Sequence, residues 1–186
     1  MKKLLTLTGA VSALVLVPTA GVFAATGTTV TDTVSVTINS SCLMTVTSLT
    51  NTYSQTMTNS QLKSDIGSTS MSISCNDAGG WKVTAIGSGT ASGNVSKMDA
   101  TGSGTDIVTG TATSGATSNW AFKVTGTKAS GYTTFKAVPT TAATVATNSS
   151  TSAGETITAV YQVWISATQQ ADTYTGKVTY TLSNPA

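Results

Sequence analysis

The side chains of this sequence that could take part in chemistry are mainly seven carboxylates and two cysteines, and the chain contains no histidine. Without histidine, Ser–His–Asp and Cys–His nucleophile systems are impossible, and the commonest general base and metal ligand is missing. A pair of carboxylates could hydrolyse a glycosidic bond, and Asp99 and Asp106, which flank a glycine-rich stretch, could hold Ca²⁺. The carboxylates are scattered over turn-like positions, however, where they normally serve as solvated surface groups. We therefore expect no enzymatic activity, no catalytic residue, no metal site and no cofactor.

The cysteines, Cys42 and Cys75, predict a disulfide bond in an exported protein. An isolated pair of cysteines in an oxidising compartment most simply forms one bridge. In the chain-entropy estimate, closing a loop of this size stabilises the folded state by about 3–4 kcal/mol. The alternative is two free thiols. A zinc site is excluded, because it needs more Cys and His ligands than the chain has.

The N-terminus has the pattern of a secretory signal peptide. Two lysines precede an uncharged stretch at 4–23, and Val22 and Ala24 occupy the −3 and −1 positions of a cleavage site. We expect residues 1–24 to be removed and residues 25–186 to form a single secreted or cell-surface domain without a membrane span. The alternative is a transmembrane anchor, since the apolar stretch is just long enough to cross a bilayer. Its Thr, Ser, Gly and Pro content favours cleavage.

Removal of this leader leaves a chain without net charge. The full sequence has nine lysines, no arginine and seven acids, and two of the lysines lie in the leader. Nucleic-acid binding depends on clustered positive charge, and bidentate phosphate clamps depend on arginine. Nucleic acid is therefore not an expected partner.

Apolar and polar residues alternate with a period of two along most of the chain, which predicts β-strands. Residues 76–80 predict a glycine-rich turn that joins the strands on either side into a hairpin. Residues 138–154 are rich in Thr and Ala and predict a connection. The predicted strands lie at residues 30–46, 71–75, 81–85, 120–124, 157–165 and 174–182, with short edge strands around Val95, Met98, Ile107 and Val108.

These elements predict an all-β fold, an antiparallel Ig-like β-sandwich of about seven to nine strands. A parallel α/β fold is excluded because no crossover helices are predicted, and a closed barrel is the alternative. Thr and Ser together make up roughly a third of the residues, which also occurs in mucin-like stalks. Such stalks are rich in proline, whereas here proline is scarce and β-branched threonine favours strands.

Two segments, residues 70–85 and 174–186, resemble the signature segments of WxL-type bacterial surface proteins. The first contains a strand, a glycine-rich turn and a Trp-x-apolar strand, and the second resembles the closing strand, with Tyr180 where the family has Trp. The resemblance implies a secreted β-sandwich that attaches non-covalently to the cell wall. The residues that carry it are Trp81, Val83, Tyr174, Tyr180 and Leu182.

The chain also resembles fimbrial pilin subunits and spore-coat type domains. The shared features are an early cysteine with a second one further on, a free alternating N-terminal segment and a closing strand. This resemblance implies that residues 29–38 could be a donor strand that completes the sheet of a neighbouring subunit. The alternative, which the sequence favours, is that the segment is the first strand of its own sandwich.

Trp164 is the candidate contact residue. It is out of phase with Tyr161, Val163 and Ile165, so it either covers the second sheet face or makes a contact with a partner. Trp81 and Trp120 are in phase with apolar neighbours and are expected in the core.

Together these features predict a non-catalytic, secreted cell-surface or envelope protein with a structural or adhesive role. Its expected partners are cell-wall or other surface components, with self-assembly as a further expectation. The alternatives are a pilin-like subunit that polymerises by donor-strand exchange and a carbohydrate-binding module.

Overall fold

The computed structural model describes residues 35–46, 57–88 and 96–184, and in these ranges the protein is all-β, with no helix. The chain divides into two units, Met1–Thr37 and Ile38–Ala186, and every described strand lies in the second. The expected signal peptide at residues 1–24 lies outside the described residues. The prediction of an all-β protein is confirmed.

Eleven strands are present in the described ranges. They are, in chain order, β1 (Cys42–Val46), β2 (Gln61–Cys75), β3 (Trp81–Ser88), β4 (Asp99–Ala100), β5 (Val108–Thr109), β6 (Asn119–Thr125), β7 (Lys136–Ala137), β8 (Ala143–Asn148), β9 (Ser152–Ile165), β10 (Tyr174–Thr175) and β11 (Lys177–Ser183).

These strands form one large sheet, one three-stranded sheet and one short pair. The large sheet has the order β1-β2-β9-β6-β5, with β7 also paired to β6, and the three-stranded sheet has the order β11-β3-β8. The short pair consists of β10 and β4. All these pairings are antiparallel except the short contact between β5 and β6.

The period-two pattern places apolar side chains from both larger sheets in one hydrophobic cluster. Ile157 and Ala159 on β9 are fully buried, and so are Trp81 and Val83 on β3. Trp120 on β6 is also buried. The predicted core positions of Trp81 and Trp120 are therefore confirmed.

The predicted hairpin across residues 76–80 is wrong. Strand β2 pairs with β1 and β9, whereas β3 pairs with β11 and β8, so the turn carries the chain from one sheet to another. The turn closes with a hydrogen bond of 3.0 Å from the Gly80 N–H to the Asp77 carbonyl, and Gly80 has a φ of 85°, which favours glycine. A glycine-rich turn between two alternating strands has the same sequence pattern whether it forms a hairpin within one sheet or passes from one sheet to another. The sequence therefore does not distinguish these two connections.

The stretch at residues 138–154, predicted as a connection, contains β8, and this prediction is also wrong. Val145 and Ala146 are both fully buried although they are adjacent in sequence. The register between β3 and β8 shifts between Val83 and Thr84. At such a bulge, one strand has an extra residue, so that two of its adjacent residues lie opposite a single residue of the partner strand. This irregularity breaks the period of two on which the sequence interpretation depends.

The predicted N-terminal strand at residues 30–46 is shorter than expected. Strand β1 begins at Cys42, and residues 35–41 lie outside the strands. For residues 35–38, the favoured interpretation as a strand of their own sandwich is therefore wrong. The rest of that segment, residues 29–34, lies outside the described residues.

Candidate functional site

The carboxylates of the described residues interact with the protein's own backbone and side chains. Asp106 accepts a hydrogen bond of 3.1 Å from the Ala100 N–H and lies 3.9 Å from the Lys97 ammonium group. Asp99 is buried, and Glu155 accepts a hydrogen bond from the Thr127 hydroxyl. In the described ranges, no three Asp, Glu, His or Cys side chains come together where they could share a metal ion.

Asp77 is the centre of a polar cluster that ties together three distant parts of the chain. One of its carboxylate oxygens accepts hydrogen bonds from the Ser40 hydroxyl at 2.7 Å and from the Asn184 amide at 3.0 Å. The other accepts the Gly79 N–H at 2.8 Å. The hydrogen bond from Ser40, followed by that from Gly79, holds the pKa of Asp77 below its ordinary value. The cluster therefore fixes the chain before β1 and after β11 to the turn between β2 and β3.

Asp172 has a similar role at the glycine-rich loop of residues 102–104. Its carboxylate accepts backbone N–H groups from Gly104 at 2.9 Å, from Thr173 at 2.7 Å and from Gly102. These bonds, with Gly104 contributing most, lower the pKa of Asp172. A general acid needs a pKa near the working pH, so the shift is in the wrong direction for that role. The arrangement stabilises a loop.

The predicted disulfide bond is confirmed. Cys42 and Cys75 are bonded and are directly opposite each other in the register of β1 and β2. The Cys75 side chain is buried, so the bridge joins the edge strand of the large sheet to the core. No free cysteine is present in the described residues.

The two signature-like segments are neighbours in the three-stranded sheet. Strands β3 and β11 pair antiparallel, so that Val83 lies opposite Leu182 and Tyr180 lies opposite Ala85. Trp81 is fully buried, and its indole N–H donates a hydrogen bond of 2.8 Å to the Ser152 hydroxyl. Signature residues separated by about half the chain therefore lie together on the core-facing side of one sheet, which the sequence alone did not indicate.

Tyr174, the remaining signature residue, is placed outside that sheet. It lies in β10, and its hydroxyl donates a hydrogen bond of 2.6 Å to the Gln170 carbonyl. This contact holds the loop before β10 and does not extend the surface formed by β3 and β11.

Trp164 lies on the outer face of the large sheet and is partly exposed. Leu62 lies opposite it on β2 and has 47% of its surface exposed. The loop that follows β5 packs across this face: the Trp164 indole N–H donates to the Gly115 carbonyl at 3.0 Å, and the Gln162 amide donates to the Ala112 carbonyl at 3.0 Å. The indole is therefore held in one orientation beside an exposed leucine.

Two edge strands leave the core partly open. The inward side chains of β1 and β11 pack against the core but are only partly buried, in contrast to those of the central strands. Among the described strands, β1 pairs only with β2, and β11 pairs only with β3. We call this region the edge seam. Its apolar residues are Cys42, Met44 and Val46 on β1 and Val178, Tyr180 and Leu182 on β11.

The chain before β1 presents apolar side chains to solvent. Val36 is 80% exposed and Ile38 is 81% exposed, the highest values among the large apolar residues described. Sequence reasoning identified the alternation of this segment. The edge seam was missed, because period-two patterns do not distinguish an edge strand from a central one.

Comparisons with protein-family models, with characterised proteins and with solved structures found no match to this chain. Within the described residues, the structure also contains no helix with the length and apolar character needed to cross a membrane.

Proposed function

We propose that this protein is an exported, non-catalytic component of a bacterial cell envelope with a structural or adhesive role. The observation that carries the proposal is the structural use of the described polar groups. The carboxylates of Asp77 and Asp172 are saturated with local donors, and both cysteines form one bridge. Such bonding commits these carboxylates and thiols to stabilising the fold.

The fold belonging to this proposal is an Ig-like β-sandwich of about seven to nine main strands. It is supported by the common core of the two larger sheets. The hydroxyl groups of Tyr161 on β9 and Tyr180 on β11, 3.0 Å apart, also link these sheets.

Export is supported by the leader-like N-terminus and by the disulfide bond, since disulfides persist mainly in oxidising compartments. The full chain, expressed in a bacterial host, should lose residues 1–24 and appear outside the cytoplasm. Mass spectrometry of the recovered protein tests this, with an expected N-terminus at Ala25. An intact leader on a cytoplasmic protein with reduced cysteines would contradict the proposal.

A WxL-like attachment to the cell wall is supported by the pairing of β3 with β11, which joins the two signature-like segments. The outward side chains of these two strands include two lysines, three threonines and one partly exposed isoleucine: Lys82, Thr84, Ile86, Lys177, Thr179 and Thr181. Neighbouring strands with alternating outward side chains form a continuous face that can lie on an extended polymer.

Sedimentation with purified bacterial cell walls tests this attachment. We expect the wild-type protein to co-sediment, and a Thr179→Glu/Thr181→Glu variant to bind more weakly because it places new charges on the β3–β11 surface. Thr156→Glu, an exposed threonine of the large sheet, is the matched control. Equal loss in the control, or no wall binding by the wild type, would argue against this surface.

A carbohydrate-binding role is a second candidate, favoured by Trp164 and Leu62 on the outer face of the large sheet. A fixed, partly exposed indole can stack on the apolar face of a sugar ring. A glycan array with the wild type and with Trp164→Ala tests this role. We expect loss of binding in the variant, with Tyr174→Phe as the control on another face. An array without any bound glycan would remove this candidate.

A further inference from the structure

The charges of this chain are unevenly distributed along the sequence. Residues 107–154 contain Lys123, Lys128 and Lys136 but no aspartate or glutamate, and all seven acids lie outside this stretch. Residues 25–186 as a whole carry seven lysines and seven acids. A protein without net charge can therefore present a local positive field, which attracts anions over about 10 Å at physiological salt.

The three lysines lie on β6, on β7 and on the connection between these strands. Lys136 on β7 lies opposite Phe122 on β6. Lys123 follows Phe122, so its side chain points to the other side of the sheet. Lys136 is exposed, whereas Lys123 and Lys128 are partly exposed. We call Lys123, Lys128 and Lys136 the basic edge.

Aromatic rings hold two of these ammonium groups in position. The Lys123 Nζ atom lies 4.7 Å from the centroid of the Phe135 ring, and the Lys136 Nζ atom lies 5.6 Å from that of Tyr132. The Lys136 ammonium group also donates a hydrogen bond of 2.5 Å to the Gly131 carbonyl. Such contacts orient a lysine without neutralising its charge. They also reduce the side-chain entropy that binding of an anion would otherwise cost.

The segment that carries these rings is fixed to the core. The Tyr132 ring stacks on the buried Phe122 ring, with centroids 4.8 Å apart. The Tyr132 carbonyl accepts a hydrogen bond of 2.7 Å from the Val124 N–H, and the Ser130 N–H donates to the Val145 carbonyl at 2.9 Å. The basic edge therefore rests on a rigid support.

The charge of the basic edge is not cancelled by carboxylates in the described part of the chain. There, the ion pair within 4 Å is that of Lys97 with Asp106. Glu155 accepts a hydrogen bond from Thr127, the neighbour of Lys128, and weakens the positive field at that end. Lys123 and Lys136 are therefore the main charges offered to a ligand.

The chemistry of these residues favours phosphate as the ligand group. The chain has no arginine for bidentate recognition, whereas a lysine ammonium group binds phosphate oxygens as a point charge. Ammonium groups held at separate places match a chain with repeated charges better than a single small anion. A linear polymer can contact several of them in succession.

Two other polyanions fit less well. Binding to a lipid surface is strengthened by apolar side chains that insert between headgroups, and none of the large apolar residues exposed in the described ranges lies in residues 119–137. Single-stranded nucleic acid binds by stacking its bases on open aromatic rings. Here the Phe135 and Tyr132 rings each have an ammonium group over one face.

We propose that the basic edge binds a linear polymer with repeated phosphate groups. The inference rests on the proposed envelope role only for the origin of that polymer, because the binding itself can be measured with a soluble probe. An exported protein without affinity for the probe refutes the basic edge alone. A cytoplasmic protein that binds the probe refutes the proposed function alone.

The first experiment measures binding of residues 25–186 to long-chain inorganic polyphosphate by calorimetry at several salt concentrations. We expect Lys123→Gln/Lys136→Gln to weaken binding by about 10-fold or more. The slope of log K against log salt should become shallower by about 1–2, because fewer phosphates are contacted.

The matched control for this experiment is Lys82→Gln/Lys177→Gln. It removes the same charge from the β3–β11 surface and should bind polyphosphate like the wild type. Equal loss in both double variants would show a response to net charge and not to the basic edge. That result, or a wild type that does not bind, would overturn the proposal.

Two further variants separate lost charge from lost folding. Lys123→Arg/Lys136→Arg keeps both charges and should keep the affinity. Thr133→Glu/Thr134→Glu leaves the lysines unchanged, adds negative charge at exposed positions between Tyr132 and Phe135, and should weaken binding. Thermal unfolding checks that each variant is folded. Full affinity in the glutamate variant, or its loss in the arginine variant, would contradict a site built on these charges.

Phosphatidylglycerol vesicles and DNA, both single-stranded and double-stranded, distinguish the sources of phosphate. We expect each to bind more weakly than polyphosphate at equal phosphate concentration. Tighter binding to vesicles or to DNA, lost in Lys123→Gln/Lys136→Gln, would assign the basic edge to a membrane surface or to nucleic acid. Either result would overturn the assignment to a linear phosphate polymer.

Discussion

The hydroxyl oxygens of Tyr161 and Tyr180 lie 3.0 Å apart and join the two larger sheets by a hydrogen bond. Tyr161 lies on β9 of the large sheet, and Tyr180 lies on β11, the edge strand of the three-stranded sheet. Both rings also flank Phe122, with centroids 6.5 Å from it in each case. This contact holds the β11 edge in place beside the core.

Replacing Tyr180 by Phe should lower the free energy of unfolding by about 0.5–1.5 kcal/mol, because the partly buried hydroxyl of Tyr161 loses this partner. Urea denaturation measures the change. The control is Thr179→Ala, at an exposed position on the same strand. This substitution should change the free energy of unfolding by no more than about 0.5 kcal/mol. A double-mutant cycle with Tyr161→Phe should show coupling, and strictly additive effects would contradict a direct bond.

Removal of the disulfide bond in Cys42→Ala/Cys75→Ala should destabilise the protein by about 3–4 kcal/mol, because the unfolded chain gains the freedom of an open loop of this length. The two cysteines are separated by 33 residues in sequence. Chemical denaturation of the variant, compared with the wild type under reducing and non-reducing conditions, checks this. Equal stability in all cases would mean that the bridge does not restrict the unfolded chain.

Gly80→Ala should destabilise the protein by more than about 1–2 kcal/mol, the cost of a left-handed conformation at a residue with a Cβ atom. Gly80 has a φ of 85°, and an added Cβ would overlap the Asn148 carbonyl. The matched control is Gly115→Ala, since an added Cβ there meets no atom within 4 Å. Thermal unfolding should separate the two variants, and similar melting temperatures would show that the turn adjusts freely.

Acid should weaken the Asp77 and Asp172 clusters. In both groups the folded-state pKa is lowered, by hydrogen bonds led by Ser40 for Asp77 and by Gly104 for Asp172. Their contribution is therefore complete above the unfolded pKa, near 3.9, and is lost as the pH falls through the lower, folded-state value. Asp77→Asn and Asp172→Asn should each flatten the acid limb of the stability curve.

Measuring the midpoint of urea denaturation between neutral pH and about pH 2 checks this dependence on the two carboxylates. Glu155→Gln is the control, because that carboxylate accepts a hydrogen bond from the Thr127 side chain and, among the described residues, none from a backbone N–H. An acid limb that keeps its slope in both Asn variants would show that other groups control acid unfolding.

Ile157→Ala should cost about 2–5 kcal/mol, because the deleted methyl groups leave a cavity in a closely packed core. Ile157 is fully buried on β9, whereas its neighbour Thr156 is exposed. Thr156→Ala should change the free energy of unfolding by no more than about 0.5 kcal/mol. If the two variants were equally stable, the inward assignment of alternate β9 residues would be wrong.

The sequence by itself determined the strand character of the chain and the identity of much of its core. Trp81, Trp120 and Ile157 occupy alternating apolar positions, and the period of two places their side chains on one face of each strand. The cysteine pair also followed from the sequence, because two thiols in an oxidising compartment have one simple outcome. These properties depend on local residue patterns and on composition.

Only the tertiary structure decided how the strands are arranged. The turn at Gly80 leads to a different sheet, β8 forms in a stretch that lacks regular alternation, and β3 lies beside β11. Pairing between strands depends on contacts between residues far apart in the chain, and the same local pattern is compatible with several partners. The edge seam follows from that pairing, because a strand becomes an edge only when the rest of the sheet is complete.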